Sequence, residues 1–415
     1  MLLNSNILSR KNIFFIQRNT KMTQENIVIV GMSRTPMGGF QGDFASVTAP
    51  ALGAVAIKGA LEQTSLNVED IDEVYMGCVL PAGIGQAPAR QAAIGAGLPK
   101  NTACTTVNKM CGSGMETVRL AHNALMAGSA DIVVAGGMES MSNAPYILPK
   151  MRSGARIGHS EVKDHMFLDG LEDAYDTGTL MGVFAEKTAE KYSFTREAQD
   201  EFAIASLSRA NSAIDKGYFK DEITPVTVKS RKGETVIDTD EQPGKARPEK
   251  IPSLRPAFAK DGTVTAANAS SISDGASALI MMRESEAEKR GIKPIARIID
   301  HSVHAQEPNW FTTAPVGAME KLYKKTGWTD ADVDLYEINE AFAVVTMAAM
   351  HDLNLDHEKV NVHGGACALG HPVGSSGSRI MITLLSALKT HNGKRGIASL
   401  CIGGGEATAI ALELI

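Results

Sequence analysis

Little in this sequence could hold the chain together covalently. Five cysteines, Cys78, Cys104, Cys111, Cys367 and Cys401, are spread over 415 residues. So low and odd a number excludes a disulfide framework, and none stands in a C-x-x-C pair or at zinc-ligand spacing from a histidine. Reduced thiols in an intracellular setting are the expectation. Long apolar runs are missing too. The longest, at 27–32 and 341–350, fall well short of the roughly 18 residues of a membrane-crossing helix, so a membrane protein is excluded. There is no basic excess: 41 Lys+Arg face 47 Asp+Glu, a net charge of −6, which argues against a nucleic-acid partner. Aromatics are only 5% and small residues are plentiful, a profile suited to helices packed closely on sheets. The 39 Gly and 16 Pro are scattered rather than pooled in a linker. What is present, 44% hydrophobic and 21% charged residues, is the balance of a globular chain with room for two or three domains.

Residues 1–21 differ from the rest. They carry Arg10, Lys11, Arg18 and Lys21 and no acid. This composition fits a mitochondrial presequence, or else Met22 is the true start. Cytoplasmic residence is expected, mitochondrial if 1–21 is a genuine presequence. The end, Leu412-Glu413-Leu414-Ile415, is no peroxisomal signal.

From residue 26 onward strand and helix patterns alternate. Strands are expected at 27–30, 73–77, 131–135, 295–299, 334–338 and 396–401. Helices are expected at 49–62, 112–128, 314–326, 341–351 and 376–388. Such alternation implies a sheet covered on both faces. The stretch from about 142 to 270 is richer in charge, Pro and Gly, with one clear helix at 196–216, and reads as a loop-rich insert. The alternating parts resemble each other. The segment 131–139, with Gly136-Gly137 and Glu139, echoes 397–406, with Gly403-Gly404 and Glu406. Each follows a helix opening with Ser-Gly, which points to a duplicated α/β unit. The expected organisation is an extension at 1–25 and a first half at 26–142 completed by about 271–293. An insert at 143–270 and a second half at 294–415 follow.

Four places could carry chemistry. Cys111, in Asn108-Lys-Met-Cys-Gly-Ser-Gly114, precedes a helix whose positive end favours a thiolate; the plain alternative is a buried structural cysteine. His371 lies in a glycine-rich loop, 363–374, that lacks a phosphate-loop lysine; the alternative is a loop histidine bonded to backbone. Cys401 ends a strand before Gly403-Gly404-Gly405, with burial as the alternative. Asn339 stands where a strand meets a helix, with capping as the alternative. All four fall at strand ends or helix starts, where open α/β sheets build sites.

Cys111-Gly-Ser-Gly, Asn339-Glu-Ala-Phe, Gly370-His-Pro and Cys401-Ile-Gly-Gly-Gly, in this order, resemble the four signature motifs of thiolases. The likeness runs from about residue 26 to 415. It is nearest to the short-chain branch that makes and cleaves acetoacetyl-CoA. It implies a duplicated five-layer αβαβα fold with an inserted loop domain that binds coenzyme A. It implies reversible condensation of two acetyl-CoA to acetoacetyl-CoA and coenzyme A. By motif match, Cys111 is the acyl-carrying nucleophile, His371 its activating base and Cys401 the acid/base for the methyl proton. Asn339 orders a water that joins His371 in one oxyanion hole, and the backbone N–H groups of Cys111 and Gly403 form the other. Ser270 matches the serine beside pantetheine, and Phe258 and Phe342 match pocket aromatics. Acetyl-CoA, acetoacetyl-CoA and coenzyme A are the implied partners, with a homotetramer built from dimers. The thioester is substrate, and no metal or redox cofactor is implied.

Two departures stand out. Many relatives have His-Met-Gly where this chain has Leu180-Met181-Gly182, which makes that wall more apolar. A family arginine near the coenzyme A phosphates has no clear match; Lys245 and Arg247 are the candidates. Alternatives are a broad-chain 3-ketoacyl-CoA thiolase, a decarboxylating ketoacyl synthase and a non-catalytic acyl-CoA-binding relative. The synthase places His where Asn339 stands; the non-catalytic relative lacks the nucleophile or base present here.

Overall fold

In the computed structural model, residues 25–231 and 233–415 are described. The leader readings for 1–21 therefore lie outside the described residues. Among these, no helix is long and apolar enough to cross a membrane.

The first part of the chain supplies β1 (Ile27–Arg34), α1 (Ala49–Glu62), β2 (Glu73–Gly77), β3 (Ala103–Val107), α2 (Ser113–Ala127) and β4 (Ile132–Ser140). After the insert comes β5 (Ser273–Arg283). The second part supplies β6 (Ala296–Ala305), α5 (Ala314–Thr326), β7 (Leu335–Ile338), α6 (Ala343–Leu353), α7 (Ser376–Thr390), β8 (Arg395–Ile402) and β9 (Glu406–Leu414). The insert's own helices are α3 (Met181–Tyr192) and α4 (Arg196–Asp215).

These strands form one path, β7-β8-β9-β6-β1-β5-β4-β2-β3. Its two ends repeat one pattern. In one, β2 and β4 are parallel and β5 and β1 follow antiparallel. In the other, β7 and β8 are parallel and β9 and β6 follow antiparallel. The halves join where Ile27, Val28 and Ile29 pair with Ile298, Arg297 and Ala296. Duplication, expected from the sequence echo, is thus visible in strand order.

Period-2 alternation sets the layers. In β4, Ile132 and Val134 face α1, while Val133 and Ala135 face α2 and α7. In β9, Ile410 and Leu412 face that same middle layer, while Ala407, Ala409 and Ala411 face α5. Both faces are covered, so these strands read as continuous apolar runs rather than alternating ones. The layers run helix, sheet, helix, sheet, helix. Helix α7 is buried through Leu388, Arg379 included, as a helix between two sheets must be. Ile380, Leu384, Leu385 and Leu388 each contribute about 1.5–3 kcal/mol by leaving water.

Three readings need correction. The insert has two long helices rather than one: α3 was not anticipated, because its apolar face is only Phe184, Ala185 and Ala189. Helix α6 begins two residues later than the 341–351 pattern suggests. Phe342 is extended there and bridges to Ala269, outside the helix. The final strand β9 was not anticipated either, since its alanines carry little β preference.

Candidate active site

Strand β3 delivers the chain to a tight loop before α2. Met110 takes a left-handed φ of 47°. The Ser113 hydroxyl holds the loop closed, donating to the Met110 carbonyl at 2.6 Å and accepting from Lys109 N–H at 2.9 Å. Cys111 is thereby presented two residues before the first helical residue, partly accessible. The backbone N–H groups of Gly403 and of Cys111 itself lie near enough to its sulfur to favour the thiolate. The helix-start argument for a thiolate does not prevail here. Burial pushes the thiol up to about 11, against the opposing pull of those N–H groups.

His371 enters from the loop before α7 and is 6% exposed. Its Nδ1 lies 2.5 Å from the Ser376 hydroxyl, and Nε2 has no hydrogen-bond partner among the described residues. Burial, reinforced by the Arg379 charge, pushes its titration down to about 3, so the imidazole is neutral. Cys401 closes β8 within an apolar cluster of Phe184, Ala269, Phe342 and Val344. Burial and the neighbouring Cys111 push its thiol well above the ordinary range. Asn339, just after β7, is buried; its Oδ1 accepts from Arg379 at 3.5 Å and its Nδ2 has no partner among the described residues.

One cavity of about 360 Å³ gathers Cys111, His371, Gly403, Leu180, Met181, Phe258, Ser270 and Phe342. Cys401 and Asn339 are not among the residues that line it. Lys245 and Arg247 line an adjoining groove of about 670 Å³ that shares Ala266, Ser271 and Ile272 with the cavity. Lys245 is already paired with Glu241 at 2.5 Å.

Sequence reasoning missed several participants. Phe167 and Leu171 reach the cavity from a single π-turn with no sequence signature. Glu139 stood in the repeated motif without a role. It is fully buried and accepts from the N–H groups of Val79, Leu80 and Gly374 at 2.9, 3.1 and 2.9 Å. An acid ending an otherwise apolar strand was the available signal. Ser376 stood only as the Ser-Gly opening of α7, without a role, and Arg379 had no signal.

The arrangement offers a thiol acyl acceptor, a neutral imidazole, a second thiol and converging backbone donors. Those parts suit acyl transfer between sulfurs followed by carbanion chemistry. Comparison with known proteins agrees. Residues 27–285 match the family model "Thiolase, N-terminal domain" and 292–414 match "Thiolase, C-terminal domain". The chain is 49% identical over 396 residues to an acetyl-CoA acetyltransferase of Schizosaccharomyces pombe, covering 95% of this chain and all of that protein. It is 50% identical over 394 residues to acetyl-CoA acetyltransferase 2 of Arabidopsis thaliana, covering 94% and 97%. The crystal structure of the Bacillus anthracis acetyl-CoA acetyltransferase superposes with a TM-score of 0.92 at 40% identity, over 94% of this chain and 99% of that one. A thiolase from Ascaris suum in complex with coenzyme A gives 0.89 at 41%, over 94% and 100%. Motifs, fold and relatives converge, and the chain belongs to the thiolase family.

Proposed function

We propose that this chain is an acyltransferase that reversibly condenses two acetyl-CoA to acetoacetyl-CoA and coenzyme A. The observation that carries the reading is the meeting of Cys111 and the unpartnered Nε2 of His371 on one cavity, with Cys401 buried beside them. The Cys111 proton passes to His371, the thiolate attacks the thioester carbonyl, and coenzyme A leaves. Cys401, its own proton gone to the departing coenzyme A sulfur, then takes a methyl proton from a second acetyl-CoA; the carbanion attacks the acetyl group on Cys111, whose sulfur leaves with the proton held by His371. The backbone N–H groups of Cys111 and Gly403 receive one developing oxyanion. Asn339, through a water and beside His371, receives the other. Sulfur and imidazole account for both steps, so the coenzyme A thioester is substrate and no metal or other cofactor takes part. Ser270, Phe258, Phe342, Leu180 and Met181 flank the pantetheine and acyl group. Lys245 and Arg247, in the adjoining groove, face the coenzyme A phosphates.

The same reading includes a homotetramer built from dimers. Tyr146, Leu148, Met151, Ile157 and Val162 stand exposed in one stretch of the insert, which supports apolar assembly there. Light scattering that gives a monomer at assay concentration would remove this part.

Cys401→Ala separates the half-reactions. Acetylation of Cys111, read as added mass after acid quench, should persist. Condensation should fall by about 10²- to 10⁴-fold or more, as for a lost general base. Near wild-type condensation by the folded variant overturns the role of Cys401. Acetyl mass on another cysteine overturns that of Cys111. Thiolysis across acyl-chain lengths separates this substrate from the longer chains of degradative thiolases.

A further inference from the structure

Catalysis by His371 requires its proton to sit on one particular nitrogen. The ring is neutral and carries one proton, on Nδ1 or Nε2. Among the described residues only Nδ1 has a hydrogen-bond partner, the Ser376 hydroxyl at 2.5 Å. That hydroxyl has one hydrogen of its own, and its other partner is the Pro372 carbonyl at 3.1 Å, which can only accept.

Two arrangements are open. In one, Ser376 donates to Pro372 and accepts from Nδ1–H, so both protons are used and Nε2 keeps a bare lone pair. In the other, Ser376 donates to Nδ1, and a buried Nε2–H is left with nothing to donate to. An orphaned buried N–H is rarer and costlier than an under-used acceptor. We infer that Ser376 is a positioning residue that holds the His371 proton on Nδ1 and so presents Nε2 to Cys111 as a base.

This rests on the acyl-transfer reading above and explains how its first step starts. The S–H bond of Cys111 breaks and an N–H bond forms at Nε2. The electron pair stays on sulfur and attacks the thioester carbon. The bond to coenzyme A breaks with its electron pair on the leaving sulfur, which takes a proton from Cys401, while Nε2 keeps its proton until the Cys111 sulfur leaves in the second step. With Nδ1–H committed to Ser376, a single nitrogen gains and loses the proton. Arg379, three residues further along α7 and on the same face, adds a positive charge near the ring. Helix α7 thus supplies both the hydroxyl that orients the imidazole and a guanidinium that adds to the effect of burial in keeping it neutral.

Nitrogen-15 NMR of histidine-labelled wild-type enzyme tests this, with the His371 resonances assigned by their loss in His371→Asn. The expected result is a protonated Nδ1 and an unprotonated Nε2 in the resting enzyme. In Ser376→Ala, single-turnover acetylation of Cys111 should slow by about 10- to 100-fold, less than the roughly 10²- to 10⁴-fold of losing the base itself. KM for acetyl-CoA should hardly move, and Ser376→Thr, which keeps the hydroxyl, should recover most of the rate. A proton on Nε2 in the wild type overturns the inference. So does a folded Ser376→Ala that acetylates at the wild-type rate. Should that variant fail to fold, the wild-type spectrum alone decides. A wild type never acetylated at Cys111 would instead defeat the acyl-transfer reading, and the position of the ring proton would still be readable.

Discussion

The two copies of the repeated strand and turn, 131–139 and 397–406, start alike and end differently. In the first, β4 runs on through Gly136 and Gly137 to Ser140 as unbroken strand. In the second, β8 stops at Ile402 and the chain turns through Gly404 and Gly405, both at positive φ. The matching glutamates diverge with them. Glu139 is fully buried and holds three backbone N–H groups, whereas Glu406 is partly exposed and pairs with Lys109. Yet each ties its own half to the loop that the other half brings to the candidate site. Glu139 grips Gly374, three residues after His371, and Glu406 grips the lysine two residues before Cys111. One ancestral feature has become a buried anchor in one copy and a surface tether in the other. Their energetic weights should differ accordingly.

The largest effect should come from Glu139→Ala. It strips partners from three buried N–H groups at about 1–3 kcal/mol each, so a loss of at least about 3 kcal/mol is expected in urea unfolding. Thermal loss with no change in kcat would break the idea that this residue also sets the His371 loop. Glu139→Gln is gentler and reports on pH. Burial pushes the carboxyl up to about 7, above its unfolded value of roughly 4.3. The fold therefore favours the protonated form, and its contribution is full below the unfolded value and lost as pH rises through about 7. The wild type should lose stability across that window more steeply than Glu139→Gln. Equal slopes would assign the dependence elsewhere, for instance to Glu337, pushed up to about 8 by burial.

The paired glycines come next. Gly137 is glycine for want of room: a Cβ there would lie 1.9 Å from the Gly374 carbonyl oxygen. Gly404 has open space around it but a φ of +94°. Gly137→Ala should cost about 3 kcal/mol, the upper end for overpacking, and lower kcat by displacing the His371 loop. Gly404→Ala should cost only about 1–2 kcal/mol, the strain of a left-handed alanine. A reversed order in urea midpoints would refute this division of labour.

The same contrast explains what the sequence made legible. Helices 49–62 and 314–326 and strand 73–77 coincide with their patterns because local propensity and burial agree there. The repeat was readable because glycines and glutamates recur at fixed offsets. Their meanings were not, since room at Gly137 is set by Gly374, far along the chain, and the positive φ at Gly404 leaves no mark of its own beyond the glycine. Cys111 and His371 stood out by their loops. Whether Cys111 favours its thiolate did not, because a helix end is local and the burial that opposes it is not. Ser376 and Arg379 looked like ordinary members of a helix whose every neighbour proved to be buried.

The smallest effect should come from Glu406→Gln. The side chains of Lys109 and Glu406 are 24% and 39% exposed, so water and ions screen their attraction, and such pairs contribute about 0.2–1 kcal/mol. Glutamine keeps the shape and one acceptor and removes only the charge. Urea unfolding should therefore shift by no more than about 1 kcal/mol, and added salt should narrow the gap between variant and wild type. Salt should leave the Glu139→Ala gap unchanged, because unpaired buried N–H groups are not screened. If Glu406→Gln costs as much as Glu139→Ala, or if salt leaves both gaps alone, the two glutamates are equivalent anchors. Exposure would then be a poor guide to what each copy of the repeat does.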